Sequence, residues 1–217
     1  MEQQLQAIGW RASTAQGKKT ELGVSGGTLV WWKHGMQCRG RDMDPPPQHA
    51  GRLAGAELSL KGDLTVLLVS IYGYSGDGGG PNNLSLLEYL AGILESYPHW
   101  LVGGDWNLCP EELFITGWPT KIKGALVIQD ADATKGTCFT SLAAKPSHID
   151  YFVCSANMES MMQGTGMDRT APFGTHRVVS ARMASIAQAV LVPKLRTVAE
   201  IQKERPNQGI TWKAAVH

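Results

Sequence analysis

The stretch HWLVGGDWNLCP, residues 99–110, climbs through the apolar Trp100, Leu101 and Val102 to two glycines and stops at Asp105, Trp106 and Asn107. The apolar part reads as a buried strand. Asp and Asn after Gly-Gly are ordinary turn formers, so taken alone the stretch marks only the end of that strand. What gives it weight is a set of residues elsewhere in the chain, each at the end of its own apolar segment.

In SHIDYFVCS (147–155), Ile149, Tyr151 and Val153 alternate on one face of a strand and send Asp150 to the other face, beside Phe152 and Cys154. A carboxylate in so apolar a strand is costly unless it is paired or holds a cation. His176, in FGTHRVVSARM, opens the last clear strand. An Asp on one strand and a His opening another can form the pair that fixes an imidazole tautomer and raises its basicity. Tyr72 ends DLTVLLVSIYGY (63–74) just before a glycine-rich loop. Singly, each has a bland reading: a core tyrosine, a capped surface histidine, a turn aspartate. Together, four strand ends present Tyr, Asp plus Asn, Asp and His in chain order.

The surrounding pattern supports a strand-rich domain. GGTLVWWKHG (26–35), GRLAGAELSL (51–60) and residues 63–74 read as strands, the last two joined by a tight return at KGD (61–63). The insert RDMDPPPQH (41–49) reads as loop. After the loop SGDGGGPNN (75–83), Leu84, Leu87, Leu90, Ala91 and Leu94 recur at helical spacing, with Asn82 or Asn83 as the expected N-cap. A long irregular span with Pro110 and Pro119 follows the opening stretch. Strands resume at 125–130, 137–142, 147–155 and 177–183. Many strands with few helices between them predict packed sheets flanked by helices, an α/β layered sandwich. The expected domain covers 1–184, and the helical pattern from 185 to 217, broken at Pro193, reads as an appendage or linker.

Composition narrows the rest. The chain of 217 residues is 43% hydrophobic with 7 Trp, enough for one sizeable core. A net charge of +1 excludes a global attraction to nucleic acid or membrane, though not a local basic surface. Cys38, Cys109, Cys138 and Cys154 have neither CxxC nor Cys/His zinc spacing and read as free, mostly buried thiols. No apolar run reaches membrane-spanning length and no signal-peptide layout opens the chain, so an intracellular protein without membrane partners is expected.

The sequence resembles the endonuclease/exonuclease/phosphatase superfamily, also called DNase I-like, and within it the endonuclease domains of LINE-type retrotransposons. VSIYGYS matches its tyrosine strand, LVGGDWN its Gly-Asp-x-Asn motif, TCFTS…SHIDYFVCS its Ser-x-Ile-Asp-Tyr motif and GTHRVV its closing Ser-Asp-His motif, over about residues 8–183. The resemblance implies two packed, mainly antiparallel sheets flanked by helices, with a cleft where acids surround Mg²⁺ or Mn²⁺. It implies hydrolysis of a phosphodiester, with DNA or another nucleic acid as the partner. By family role, Asp105 would orient or deprotonate the attacking water, and Asn107 would hold a phosphate oxygen or help Asp105 place the metal. His176, oriented by Asp150, would contact the scissile phosphate, and Tyr72 would donate to a phosphate or leaving oxygen. These roles suit a reaction that needs a positioned nucleophile and donors around phosphorus.

The chain departs from the pattern in three places. The family opens with a strand bearing Asn and then a Gln-Glu strand end whose Glu binds metal. Here Met1 falls just past that point and Glu2 is too early to take the role, so an N-terminally incomplete domain is expected, with a further segment or chain completing the sheet. Thr175 replaces the Asp before the closing His, and Ser75 stands where Asn often follows the tyrosine. With the Glu and that Asp gone, binding of Mg²⁺ or Mn²⁺ is expected to be weak. Besides an active endonuclease, a non-catalytic remnant of the fold and a small-molecule or lipid phosphatase are the alternative readings.

Overall fold

Glycine and β-branched runs set the strand pairs of one central sheet. The computed structural model describes residues 8–21, 23–127, 136–139, 146–168, 170 and 175–184. Its strands are β1 (Trp10–Ala15), β2 (Lys18–Thr20), β3 (Gly23–Ser25), β4 (Thr28–Lys33), β5 (Cys38–Arg41), β6 (Leu53–Ser59), β7 (Thr65–Tyr72), β8 (Trp100–Asp105), β9 (Gly124–Val127), β10 (Asp150–Ser155), β11 (Met162–Asp168) and β12 (Val178–Met183). Six of them form the sheet β5-β6-β7-β8-β10-β9, in which only β7 and β8 run parallel. The β6–β7 hairpin turns at KGD as expected, with Gly62 and Asp63 both at positive φ. A helix, α1 (Pro81–Leu94), makes the crossover that the parallel pair requires.

Period-two alternation sends the two faces of this sheet into two cores. Leu67, Val69, Ile71, Val102, Tyr151 and Val153 pack under α1, whose Leu86, Leu90 and Leu94 are all buried. Each such leucine stabilises the fold by roughly 1.5–3 kcal/mol. The other face carries Ala56, Leu58, Val66 and Cys154 against Trp32 of β4. There the second layer is built from separate ladders, β1 with β4 over β6 and β7, and β11 with β12 beside β10. The Thr28 and Ser70 hydroxyls hydrogen bond across the layers.

Several sequence expectations change. The N-cap of α1 is Gly80, with Pro81 at the first helical position, because Asn83 is used elsewhere. Its buried amide accepts from the Tyr74 N–H (2.7 Å) and donates to the carbonyls of Tyr74 (3.1 Å) and Gly78 (2.9 Å), tying down the glycine loop. Asp77 instead supplies a carboxylate oxygen to the Asn83 N–H at 2.8 Å. The span after β8 is not irregular: α2 (Pro110–Ile115) and α3 (Trp118–Lys121) each start on the proline side, where the missing N–H costs nothing. The 41–49 insert begins in β5 and contains a 3₁₀ turn, Pro47–His49. A short helix, α4 (Ala156–Glu159), follows β10. Strands β1, β2, β3, β5 and β11 were not legible, being short or rich in Gly and polar residues. Residues 128–130 and 140–142 of the expected strands, and the expected 185–217 appendage, lie outside the described residues. No helix among the described residues is long and apolar enough to cross a membrane.

Candidate active site

The Gly-Gly of the opening stretch is needed because three strand ends close together here. β8 lies between β7 and β10, and Tyr72, Asp105 and Asp150 are direct neighbours across these strands. Parity places all three on the sheet face that carries Leu68, Leu101 and Cys154. A Cβ on Gly103 would stand 2.4 Å from the Phe152 ring, and one on Gly104, at φ +148°, 2.1 Å from the Ile71 carbonyl oxygen. At Gly73 a Cβ would meet the Trp106 carbonyl oxygen at 1.9 Å. Trp106 turns to the opposite face, stacks on Tyr151 with centroids 5.1 Å apart and donates its indole N–H to the Tyr151 carbonyl at 3.0 Å. The aromatic between Asp105 and Asn107 is thus the anchor that lets its neighbours face outward.

Asn107 occupies the left-handed region at φ +50°, which Asn tolerates better than most residues. Its N–H donates to Asp105 Oδ1 at 3.0 Å, and its side-chain amide donates to the Gly73 carbonyl at 3.2 Å. Burial, then the facing Asp150 carboxylate, holds the Asp105 carboxyl above the usual carboxylate range, while the Asn107 bonds and His176 act in the opposite sense. A carboxylate so placed is a better proton acceptor than one in water.

His176 reaches both acids. Its Nδ1 lies 3.0 Å from Asp150 Oδ2 and 3.2 Å from Oδ1, and its Nε2 lies 3.9 Å from Asp105 Oδ2. The Asp-His pair expected from the sequence is present, and it leaves Nε2 as the ring atom turned toward Asp105. Ligand atoms of Asp105, Asp150 and His176 all lie within 4.8 Å of one another. Thr175 is exposed, and its carbonyl accepts the Phe139 N–H at 2.8 Å.

Three contributors escaped the sequence reading. Thr137 is fully buried, and its hydroxyl oxygen accepts the N–H groups of Ile149 (3.1 Å) and Asp150 (3.0 Å), which sets where Asp150 enters β10. Arg52, 7% exposed, donates to the Gly73 carbonyl at 2.8 Å and to Ser25 Oγ at 2.9 Å, with its guanidinium 5.1 Å from the Tyr72 ring centroid. Gly73 therefore receives both Arg52 and Asn107. Cys138 pairs with His176 across an isolated bridge, its Sγ 3.6 Å from Nε2. Thr137 and Cys138 lie in TCFTS, which the sequence marks only as a strand; among its described residues the pairing is that bridge and a second one to Ser147.

Among the described residues, a hard divalent cation finds few oxygens here. Asp150 directs both carboxylate oxygens at the imidazole. That leaves a carboxylate oxygen of Asp105 and the amide oxygen of Asn107, a set that fits one Mg²⁺ or Mn²⁺ keeping most of its water, and fits it weakly.

No protein-family model and no curated protein sequence matches the chain. Solved structures do. The 3′-phosphatase NExo from Neisseria, bound to a product DNA hairpin, matches with a TM-score of 0.62 at 12% identity over 84% of this chain and 82% of that one. The endonuclease domain of TRAS1, a telomere-specific non-LTR retrotransposon, matches at 0.61 and 14% over 81% and 80%. The AP endonuclease LMAP from Leishmania major matches at 0.60 and 17% over 81% and 70%. At these identities the likeness is one of fold, and it is the DNase I-like, endonuclease/exonuclease/phosphatase fold.

Proposed function

We propose that this chain of DNase I-like fold is a divalent-metal-dependent phosphodiesterase acting on DNA, of retroelement origin. The observation that carries the reading is the convergence of Asp105, Asp150 and His176 at one sheet end, with Tyr72 and Asn107 beside Asp105. Attack by water would form the new P–O bond while its proton passes to Asp105, held as an effective acceptor by burial and Asp150. His176 Nε2 would donate to a non-bridging phosphate oxygen, with Asp150 holding the ring through Nδ1. The ester P–O bond opposite the water would break, its electron pair leaving on the departing oxygen, which takes a proton from Tyr72 or solvent. Mg²⁺ or Mn²⁺ bound at Asp105 and Asn107 would supply charge neutralisation at phosphorus.

Nicking of supercoiled DNA in Mg²⁺ or Mn²⁺ tests this against Asp105→Ala, with metal-dependent nicking in the parent alone as the expected result. Equal activity in both proteins would sink it. A second reading, a non-catalytic remnant that contacts nucleic acid, is favoured by one observation: an exposed Thr175 gives no carboxylate where the family carries Asp. Salt-dependent DNA binding without turnover would select it. We also propose that an extended segment, from this or another chain, completes the second sheet. Leu68, Leu101 and Phe152, on central strands of the main sheet, are only partly buried on the face where the β1–β4 and β11–β12 ladders stand apart.

A further inference from the structure

Cys138 and His176 are partners across an antiparallel bridge. The flanking bonds run from Phe139 N–H to the Thr175 carbonyl and from Arg177 N–H to the Thr137 carbonyl, both 2.8 Å. That pattern defines the non-hydrogen-bonded kind of pair, in which facing side chains come closest. The thiol is thereby delivered to the same imidazole nitrogen that faces Asp105: Sγ lies 3.6 Å and Oδ2 lies 3.9 Å from Nε2.

We infer that Cys138, His176 and Asp105 form a zinc site. Zinc bonds of about 2.0–2.1 Å to nitrogen, 2.3 Å to sulfur and 2.0–2.2 Å to oxygen put the donors of one tetrahedral ion roughly 3.3–3.7 Å apart, the pairs that include sulfur at the upper end. Of the two separations from Nε2, that to Sγ meets the requirement and that to Asp105 Oδ2 exceeds it by about half an ångström. Cys138 stands outside the mutually close set of Asp105, Asp150 and His176, so a side-chain rotation of Cys138 or Asp105 must bring Sγ and the carboxylate together. Behind the imidazole, Asp150 accepts from Nδ1 at 3.0 Å, the outer carboxylate that orients a histidine ligand and strengthens it. Three protein donors leave a fourth position for water. Thiolate and imidazole select zinc over magnesium, whereas the oxygens of Asp105 and Asn107 alone hold a hard cation weakly. A bound zinc ion occupies Nε2 and the Asp105 carboxylate, the two groups on which the proposed hydrolysis depends. That consequence rests on the phosphodiesterase reading; the binding does not.

The test is titration of the full chain with Co²⁺ by absorption and with Zn²⁺ in competition with a chromogenic chelator, after circular dichroism has established that each variant is folded. Co²⁺ is expected to give a thiolate-to-cobalt charge-transfer band in the near ultraviolet that disappears in Cys138→Ser and persists in Cys38→Ser and Cys154→Ser. Asp150→Asn is expected to weaken Zn²⁺ binding by about 10- to 100-fold. Absence of a thiolate band in the parent protein, or a band that survives in Cys138→Ser, overturns the site. Absence of the band in the parent overturns the site even if Cys138→Ser does not fold, and neither titration depends on nuclease activity.

Discussion

Asp105 and Asp150 stand directly opposite each other across β8 and β10, and one imidazole reaches both carboxylates. Two acids at one buried strand end repel unless a cation or a proton intervenes, and that repulsion can be read out in stability as well as in activity.

The first prediction concerns pH. Folding holds the Asp105 carboxyl above its ordinary value of 3.8, through burial first and Asp150 second. The unfolded chain therefore ionises this group at lower pH than the folded one, and stability falls as pH rises from the ordinary value through the folded value. Asp105→Asn, which keeps an acceptor for the Asn107 N–H, is expected to raise the melting temperature at neutral pH. That gain should vanish near about pH 3, where both states of the parent are protonated. Thermal denaturation of the two proteins at both pH values checks the sign.

His176 and Asp150 should behave as one device. If nicking is observed, His176→Gln and Asp150→Asn each lower its rate by about 10²- to 10⁴-fold. The double variant should lose little more than the worse single one, because groups that act together are strongly non-additive. Losses that multiply would show that Asp150 acts independently of the ring.

Thr137→Val swaps the hydroxyl for a methyl and leaves the buried N–H groups of Ile149 and Asp150 without their acceptor. A cost of about 1–3 kcal/mol in urea unfolding is expected, with Thr137→Ser close to the parent.

Arg52→Lys keeps the charge but not the fork that reaches the Gly73 carbonyl and Ser25. Loss of about 2 kcal/mol of stability is expected, on the scale of charged hydrogen bonds. Denaturant titration of the two proteins measures it.

Glycine substitutions should separate by position. Gly104→Ala drives a Cβ to 2.1 Å from the Ile71 carbonyl at a strained φ, a loss on the order of 3 kcal/mol. Gly92→Ala, in α1 with no atom within 4 Å of the added Cβ, should instead stabilise by about 0.5–1 kcal/mol. Parallel melts of the two variants compare them directly.

The legible part of this protein was local. Alternation in VSIYGY and HIDYFVCS, glycines before Asp105 and the spacing of Leu87, Leu90 and Leu94 each report a period or a turn within a few residues. Those signals located β7, β8, β10 and α1 and put Tyr72, Asp105 and Asp150 at strand ends, with His176 in an isolated bridge just before β12. Caps and short strands were less legible because the decisive partner is distant. Asn83 is a good capping residue by type, yet the Tyr74 backbone, nine positions away, claims its amide. Strand β1 has exposed and half-buried positions on both faces, so it carries no clean alternation.

By itself, the sequence determined that an acid, an amide, a second acid and a histidine would each stand at the end of an extended segment, since strand parity and turn chemistry are properties of neighbours along the chain. Only the tertiary structure decided what joins Asp150 at the imidazole. Cys138 lies 38 positions from His176, and no spacing of cysteines and histidines announces a shared site. An antiparallel bridge brings them together, and the register of β8 against β10 puts Asp105 beside both Asp150 and the same ring. Register is a sum over many packed and hydrogen-bonded pairs, so it exists only once the sheet has formed.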